Sequence, residues 1–366
     1  QVGQTHLLPV YKGHPMCDDF WTYYNVEARA GDISAPAMFV GGWYDIFQQG
    51  TLDAFVTRER QGGPGAKGNN YLIMNWSAHL DKPVPDYTFN ENRYTLDTNQ
   101  ALASFYACFL KGETKALEGF AKVHYYVIGA DTPGAPGNEW RTADTWPPFV
   151  TDASVFRLHG NGRLSATDPG FSGRASKTFT FDPKDPFPTS GGANLTIPAG
   201  PFDQRKVSKG RKDLLHFVTK PLRQPVEVTG RVTVRLFVSS DAPDTDFTAK
   251  LLDIYPRGDG RQILIVDSVR RVKTRLGYDK VAPLLEDPKH IVEIEIDLQS
   301  TSWIFAEGHR IGLDVSSSNF PRFEVNPNTG ADFPTGDGDM RVARNAVHMD
   351  EDHPSVLILP IRPTAN

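Results

Sequence analysis

The stretch PAMFVGGWYD, residues 36–45, carries the clearest structural pattern in the first third of the chain. It is a short apolar run followed by two glycines and an acidic residue. Leu52, Phe55 and Val56 then recur at the i, i+3, i+4 spacing of a helix face. We therefore predict a strand in the first half of this stretch, a turn at the glycines, and a helix over residues 46–60.

The same alternation of strand and helix continues along the next part of the chain. Residues 71–74 form a second apolar run between polar flanks. Apolar residues recur at helical spacing over residues 102–110, and Lys111 and Gly112 are typical of a helix end. Strands that alternate with helices indicate parallel βα units.

From residue 123 onward, helical periodicity largely stops and short strand patterns replace it. Residues 291–298 read IVEIEIDL, an alternation that places the apolar side chains on one face of a sheet. We predict an antiparallel sandwich of the jelly-roll kind in this half. Pro147 and Pro148 stiffen the predicted linker, which gives an α/β unit over residues 1–148 and a β unit over residues 149–366.

Composition excludes several classes of protein. The 366 residues include 39 Lys and Arg against 44 Asp and Glu, without a basic stripe, so nucleic acid is not an expected partner. No apolar stretch approaches the roughly 20 residues of a membrane span, which predicts a soluble chain and leaves its compartment open. Cys17 and Cys108 are too few for a disulfide framework. We expect both to be buried as small hydrophobic residues, and a single bridge between them stays open.

Two polar residues follow neighbouring predicted strands. Asp45 comes directly after the first strand and His79 follows the second, where catalytic groups of α/β proteins gather. An acid and a histidine in this chain order match the second and third members of a nucleophile–acid–histidine triad, so we expect them within hydrogen-bonding reach. The alternative is that Asp45 caps the following helix and His79 is a loop residue. Trp43, Tyr44 and Trp76 flank the pair and either line a substrate pocket or pack between strand ends.

A longer set of motifs identifies a family. Residues 41–47, GGWYDIF, resemble the acid-bearing G-W-Y-D-x-F motif of the cocaine esterase/X-Pro dipeptidyl-peptidase group of α/β-hydrolases, also called the CocE/NonD family. Further blocks that resemble this family occur in order across nearly the whole chain, at residues 11–21, 105–112, 140–148, 181–192, 201–204, 239–247, 308–310 and 316–322.

This resemblance implies both a fold and an activity. The fold is an α/β-hydrolase, represented by the C-terminal portion of its parallel sheet with helices, followed by an all-β jelly-roll sandwich domain. The activity is hydrolysis of an ester or amide acyl bond through an acyl-enzyme, with no metal or organic cofactor. Asp45 matches the triad acid of the family, His79 the triad base, and Phe47 a wall of the acyl pocket.

Two departures from the family pattern affect the chemistry. The family writes its histidine loop as G-P-W-[ST]-H, whereas residues 74–79, MNWSAH, lack the Gly-Pro pair and carry one extra residue before His79. No serine lies in a G-x-S-x-G elbow, so we expect the nucleophile on a segment upstream of Gln1, as a separate chain or a missing part of this one. The expected partners are that segment and a small-molecule ester, amide or peptide substrate, and self-association stays open.

The missing serine and the altered histidine loop leave a second class of function open. In that alternative the chain is a catalytically inactive binding or assembly module that uses its jelly roll. Reaction with a fluorophosphonate probe and with a p-nitrophenyl ester distinguishes a hydrolase from such a module.

Two other polar clusters and one histidine are interpreted as structural. The histidines and acids of residues 348–353 precede Pro354, and we expect a solvated turn there rather than a metal site. The acids of residues 241–246 lie inside the predicted sandwich, where such side chains usually satisfy backbone donors at a bend. His309 opens a predicted strand and is expected to be packed and hydrogen-bonded.

Overall fold

The computed structural model of the chain describes residues 7–363, apart from residues 81, 151–152, 168–173, 286, 288 and 334–335. Its α-helices are α1 (Leu8–Gly13), α2 (Asp19–Tyr24), α3 (Gln48–Gln61), α4 (Thr98–Lys111) and α5 (Arg205–Ser208). Its strands are β1 (Ala37–Tyr44), β2 (Asn70–Ala78), β3 (Val123–Gly129), β4 (Glu139–Ala143), β5 (Ser154–Leu158), β6 (Leu164–Ser165), β7 (Ser176–Phe181), β8 (Leu215–Val218), β9 (Val226–Ser240), β10 (Asp246–Ile254), β11 (Gln262–Arg271), β12 (Val292–Phe305), β13 (Arg310–Ser316), β14 (Ala343–His348) and β15 (Val356–Leu359).

The first part of the chain folds as a parallel sheet with helices, as its alternating pattern predicts. β1, β2 and β3 run parallel in that order, and β4 adds to β3 in the antiparallel direction. Helix α4 begins after Asp97, whose carboxylate accepts hydrogen bonds from the backbone N–H groups of Asn99 (2.9 Å) and Gln100 (3.0 Å). It ends at Gly112, whose φ of 73° lies in the left-handed region that glycine adopts without strain.

The second part of the chain is built from β-strands in two sheets. The long strands β9 and β12 pair in the antiparallel direction and form the middle of the larger sheet, beside β14 and β15. The smaller sheet has the strand order β11-β10-β13-β8 and lies against β12. Apolar side chains of both sheets form the core between them, including Leu236, Ile296, Leu251 and Leu313, all of them fully buried.

One sheet runs through both parts of the described chain. The last residues of β12 pair in parallel with β3, through Trp303 beside Ile128 and Ile304 beside Gly129. This pairing joins the α/β strands to the β-rich strands in a single larger sheet, a connection that the sequence did not predict. It holds the ends of β1 and β2 close to the β-rich part.

The burial of β12 explains both its sequence pattern and the end of that pattern. Ile294, Ile296 and Leu298 are buried while Glu293 and Glu295 are exposed, as the alternation predicts. The alternation stops at a bulge after residue 297, and residues 300–305 are buried on both faces. The second face is covered because β12 there meets α3 and β3.

The cysteines differ from the prediction. Cys17 is exposed and Cys108 is half-buried, and both are free thiols. Cys108 lies on a partly exposed part of α4, and Cys17 lies in a surface segment whose backbone N–H donates to Tyr278 O (2.6 Å). Neither is the buried small hydrophobic residue that composition suggested.

The structure also bears on membrane association. Within the described ranges, none of the helices has both the length and the apolar character needed to cross a bilayer.

Candidate active site

Asp45 lies one residue beyond β1, in the turn that leads into α3. Its backbone N–H donates to Gly42 O (3.0 Å), which closes the turn. One carboxylate oxygen, Oδ1, accepts a hydrogen bond from the backbone N–H of Phe47 (3.0 Å). This bond between residues two apart orients the carboxylate and leaves Oδ2 available to another partner.

His79 supplies that partner. β1 and β2 are adjacent parallel strands, so their carboxyl ends lie at the same edge of the sheet. The imidazole Nδ1 of His79 lies 3.1 Å from Asp45 Oδ2, so the predicted contact is present. An ionised carboxylate only accepts hydrogen bonds, so an Asp45 carboxylate in this form requires the proton on Nδ1, and in the neutral ring Nε2 then has the lone pair.

The two side chains differ in exposure in a way that suits proton transfer. The Asp45 side chain is 16% exposed and the His79 side chain 42% exposed. Nε2 of His79 has no hydrogen-bond partner among the described residues. When a sheltered carboxylate holds one nitrogen of an exposed imidazole, the other nitrogen can accept a proton from an incoming hydroxyl.

Phe47 forms an apolar surface beside the imidazole. Its ring centroid lies 5.3 Å from that of His79 in an edge-to-face arrangement, and the residue is 56% exposed. Ile46 and Leu80, the chain neighbours of this pair, are exposed as well. The histidine therefore stands in a partly apolar surface that can contact an acyl group.

Two of the aromatic residues that flank Asp45 and His79 in the sequence, Trp43 and Tyr44, lie in the core of the fold. Trp43 and Tyr44 are fully buried, which favours the alternative that they pack between strand ends over the one that they line a substrate pocket. Trp43 Nε1 donates to Tyr126 O (2.7 Å), and the hydroxyl of Tyr44 donates to Leu264 O (3.0 Å) in the β-rich part. Burial also raises the pKa of Tyr44 well above its ordinary value. These side chains are core residues that connect β1 to β3 and to β11.

Trp76 is also largely buried, at the edge of a surface cavity of about 350 Å³. Its ring packs on Phe89, with 5.0 Å between centroids, and under the guanidinium of Arg93 at 4.7 Å. A role for Trp76 in substrate binding stays a prediction.

Histidine–carboxylate contact alone does not single out a catalytic pair in this chain. The described residues contain four further pairs of this kind, His14–Asp18, His216–Asp314, His309–Asp253 and His353–Asp350. Only the pair of Asp45 and His79 lies at the ends of two adjacent parallel strands. Position in the sheet, which the sequence pattern predicts, is therefore the more specific signal.

The polar clusters of the β-rich part have structural partners. Asp244 accepts hydrogen bonds from the Lys273 backbone N–H and the Asn326 side chain, which confirms its predicted structural role. Burial, followed by the nearby Asp246 carboxylate, raises the pKa of Asp244. His309 is buried and its Nδ1 donates to Asp253 Oδ1 (2.8 Å), as expected of a packed histidine.

The loop of residues 348–353 is a turn. Asp350 Oδ1 accepts hydrogen bonds from the backbone N–H groups of Asp352 (3.1 Å) and His353 (2.9 Å) and from the ring of His353. His348 instead contacts the hydroxyl of Ser239 through Nε2 (3.0 Å). In the part of the chain that the structure describes, no three acidic, histidine or cysteine side chains converge as a metal site would require.

Comparison with known proteins assigns the chain to a family. Residues 116–358 match the family model of the X-Pro dipeptidyl-peptidase C-terminal non-catalytic domain. Residues 3–81 match the model of X-Pro dipeptidyl-peptidase of the S15 family. The chain belongs to the cocaine esterase/X-Pro dipeptidyl-peptidase family. The resemblance found in the sequence motifs is therefore confirmed.

Known proteins resemble the chain in sequence and in fold. Cocaine esterase from Rhodococcus sp. (strain MB1 Bresler) is 37% identical over 361 residues, which cover 95% of this chain and 60% of that protein. An aminopeptidase from a marine sediment Thaumarchaeota archaeon superimposes with a TM-score of 0.80 at 22% identity, over 99% of this chain and 61% of its own. An α-amino acid ester hydrolase superimposes with a TM-score of 0.80 at 22% identity, over 98% of this chain and 61% of its own. The chain thus spans about 60% of the length of the curated relative.

Proposed function

We propose that this chain is the acid- and histidine-bearing part of a serine hydrolase that cleaves an ester or amide acyl bond. Asp45 is the triad acid, His79 is the triad base, and the nucleophilic serine belongs to a segment that is not in this chain. The observation that carries the proposal is the 3.1 Å contact between these two side chains at the ends of adjacent parallel strands, where Nε2 of His79 has no partner among the residues that the structure describes.

The proposed chemistry follows from the roles of the two ring nitrogens. The serine oxygen attacks the acyl carbonyl while Nε2 of His79 takes the hydroxyl proton, and the protonated ring then gives that proton to the leaving alcohol or amine. A water molecule then attacks the acyl-enzyme while Nε2 takes its proton, and the ring returns that proton to the serine oxygen as the bond from the acyl carbon to this oxygen breaks. Asp45 holds the Nδ1–H tautomer and stabilises the charged ring between these steps. No metal or organic cofactor takes part.

The nature of the substrate is argued from the exposed surface and from the relatives. Phe47 offers an apolar wall beside the imidazole, which suits an acyl group. The relatives are named for an esterase, an aminopeptidase and an α-amino acid ester hydrolase, so the proposed substrate class is a small ester, amide or peptide. In the proposed organisation, residues 149–366 are a jelly-roll domain that follows an α/β unit of residues 1–148.

The edge of the sheet supports a partner segment that carries the serine. Among the described strands, β1 pairs only with β2, so its other edge is open to a further strand. Val40 on β1 is 39% exposed, although it lies in the apolar run of a sheet strand. The proposed partner segment covers this edge and brings its serine to Nε2 of His79.

The proposal is tested on the polypeptide that includes the serine-bearing segment. Asp45→Asn removes the charge that stabilises the imidazolium, and kcat for a p-nitrophenyl ester is expected to fall by about 10⁴-fold with little change in KM. Asp350→Asn is the matched control, because Asp350 also contacts a histidine ring at 2.9 Å but lies in the β-rich part. It is expected to leave kcat unchanged.

Two results would contradict the hydrolase. One is an Asp45→Asn variant with the kcat of the parent protein. The other is a failure of the parent protein to react with a fluorophosphonate probe, which would favour the inactive binding or assembly module.

A further inference from the structure

The register between β1 and β2 changes just before the candidate catalytic pair. Gly41 lies beside Met74 and Gly42 beside Asn75, but Tyr44 then lies beside Ala78. Two steps along β1 therefore correspond to three steps along β2. β2 contains one extra residue, accommodated as a β-bulge opposite Trp43.

A side chain of β2 holds this bulge. Asn75 Oδ1 accepts hydrogen bonds from the backbone N–H of Ser77 (2.8 Å) and from its hydroxyl (2.7 Å). The bulge interrupts the regular ladder, and the Asn75 amide provides the Ser77 N–H with a local partner. The extra residue is thus a hydrogen-bonded structure and not a loose loop.

Gly42 allows the bulge to pack against β1. A Cβ atom at this position would lie 2.2 Å from the carbonyl oxygen of Ser77 and 2.8 Å from Asn75 Oδ1. Contacts below 3.0 Å are essentially never seen for real Cβ atoms, so a larger residue must displace the Ser77 carbonyl by at least about 0.8 Å. The carbonyl of Gly42 also accepts the backbone N–H of Asp45 (3.0 Å). One glycine therefore contacts both the turn of the acid and the bulge that precedes the histidine.

The bulge determines which residue of β2 meets Asp45. With regular pairing after Asn75, Ser77 would lie beside Tyr44, and His79 would lie one residue, or about 3.3 Å, further along the strand. A shift of one residue also turns a side chain to the opposite face of the sheet. Because Ala78 lies beside Tyr44 instead, His79 follows at the level of Asp45, and the two side chains come into contact.

We propose that Gly42 and Asn75 are positioning residues that set His79 in register with Asp45 through this bulge. The proposal rests on the proposed function, because the pair that they position is the proposed acid and base. Neither residue contacts the reacting atoms. Their effect is expected in the tautomer of His79 and in kcat, and much less in KM.

The first measurement uses this chain with ¹⁵N-labelled histidine. Long-range ¹H–¹⁵N correlation spectra report which ring nitrogen carries the proton, and His79→Gln assigns the signal. The parent chain is expected to show the Nδ1–H tautomer at His79. In Asn75→Ala and Gly42→Ala the ring is expected to show a mixture of tautomers, because the contact with Asp45 is lost. Asn75→Asp keeps an acceptor oxygen for the Ser77 N–H and is expected to restore the parent signal.

Gly50→Ala is the matched glycine control. A Cβ atom at Gly50 meets no heavy atom within 4 Å, so the His79 signal is expected to stay as in the parent chain. Thermal unfolding of every variant separates a local displacement from a loss of the fold. In the serine-bearing polypeptide, Gly42→Ala is expected to lower kcat on the order of 100-fold, since a displacement near 1 Å at a catalytic group has an effect of this size.

The outcomes separate the two hypotheses. Folded Gly42→Ala and Asn75→Ala variants that keep the parent tautomer and kcat would overturn the positioning role and leave the proposed function intact. If Gly42→Ala does not fold, the positioning role is tested by comparing the His79 tautomer in Asn75→Ala with that in Asn75→Asp. A parent chain without the Nδ1–H tautomer at His79 would overturn the proposed acid–base pair, and the positioning role with it.

Discussion

Lys250 is a buried cation whose removal has a calculable effect on stability. It lies on β10 and is 3% exposed, with Nζ 3.0 Å from Gln204 Oε1 and 4.7 Å from the ring centroid of Phe187. Burial lowers the pKa of Lys250 to about 8, and the attraction of the Asp267 and Asp314 carboxylates offsets this only in part. The folded chain therefore pays a free-energy cost to keep this lysine charged.

The size and the pH range of that cost follow from the two pKa values. A shift from 10.5 in the unfolded chain to about 8 in the folded chain corresponds to about 3 kcal/mol. Between these values the unfolded state binds more protons than the folded state, so the free energy of unfolding rises with pH in this window and is flat below it. From about pH 7 to about pH 9.5, the contribution of Lys250 to the free energy of unfolding increases by about 2 kcal/mol.

Lys250→Met removes this pH dependence. Urea unfolding of the parent and the variant at about pH 7 and about pH 9.5 gives the difference in unfolding free energy at each pH, and other titrating groups cancel in the comparison. The variant is expected to lose about 2 kcal/mol relative to the parent between the two pH values. Lys67→Met, at an exposed position, controls for the loss of one positive charge. A difference between parent and Lys250→Met that is the same at both pH values would refute the assignment of a low pKa to Lys250.

Two further predictions concern stability. Burial lowers the pKa of His216, but its hydrogen bond to Asp314 (2.5 Å) outweighs this and raises the pKa overall. A raised pKa stabilises the fold at pH values below the ordinary histidine pKa, and this stabilisation is lost as the pH rises through the pKa of the folded state. In urea titrations, His216→Phe should therefore lower the free energy of unfolding more at about pH 5 than at about pH 9. An equal loss at both pH values would contradict this prediction. Asp97→Ala removes the cap of α4 and is expected to lower the unfolding free energy by about 1 kcal/mol; an unchanged melting temperature would show that the cap does not stabilise the helix.

Several features of the fold follow from short-range patterns. The spacing of Leu52, Phe55 and Val56 predicts α3, and the alternation of residues 291–298 predicts the first half of β12, because each pattern reports a single face that needs burial. The order of Asp45 and His79 after two strands predicts their proximity, since parallel strands end at one edge. In each of these cases, residues close together in the sequence determine the predicted feature.

Other features depend on residues far apart in the chain. Trp43 and Tyr44 stand next to the candidate acid, yet both are buried, and their hydrogen-bond partners, Tyr126 and Leu264, lie more than 80 and 200 residues away. The joining of β12 to β3 likewise has no local pattern, because strand partners are selected by packing across the whole molecule.

The extra residue before His79 involves both a local sequence pattern and a contact that forms only in the folded chain. The sequence predicts that the histidine loop is longer than the family pattern. The folded chain converts that length into a bulge, held by Asn75 and accommodated by Gly42, and this brings His79 beside Asp45. The sequence shows the extra residue, but the effect of that residue on the His79 imidazole depends on the carbonyl of Ser77 in β2 packing against Gly42 in β1. Such steric fit exists only after the two strands have paired.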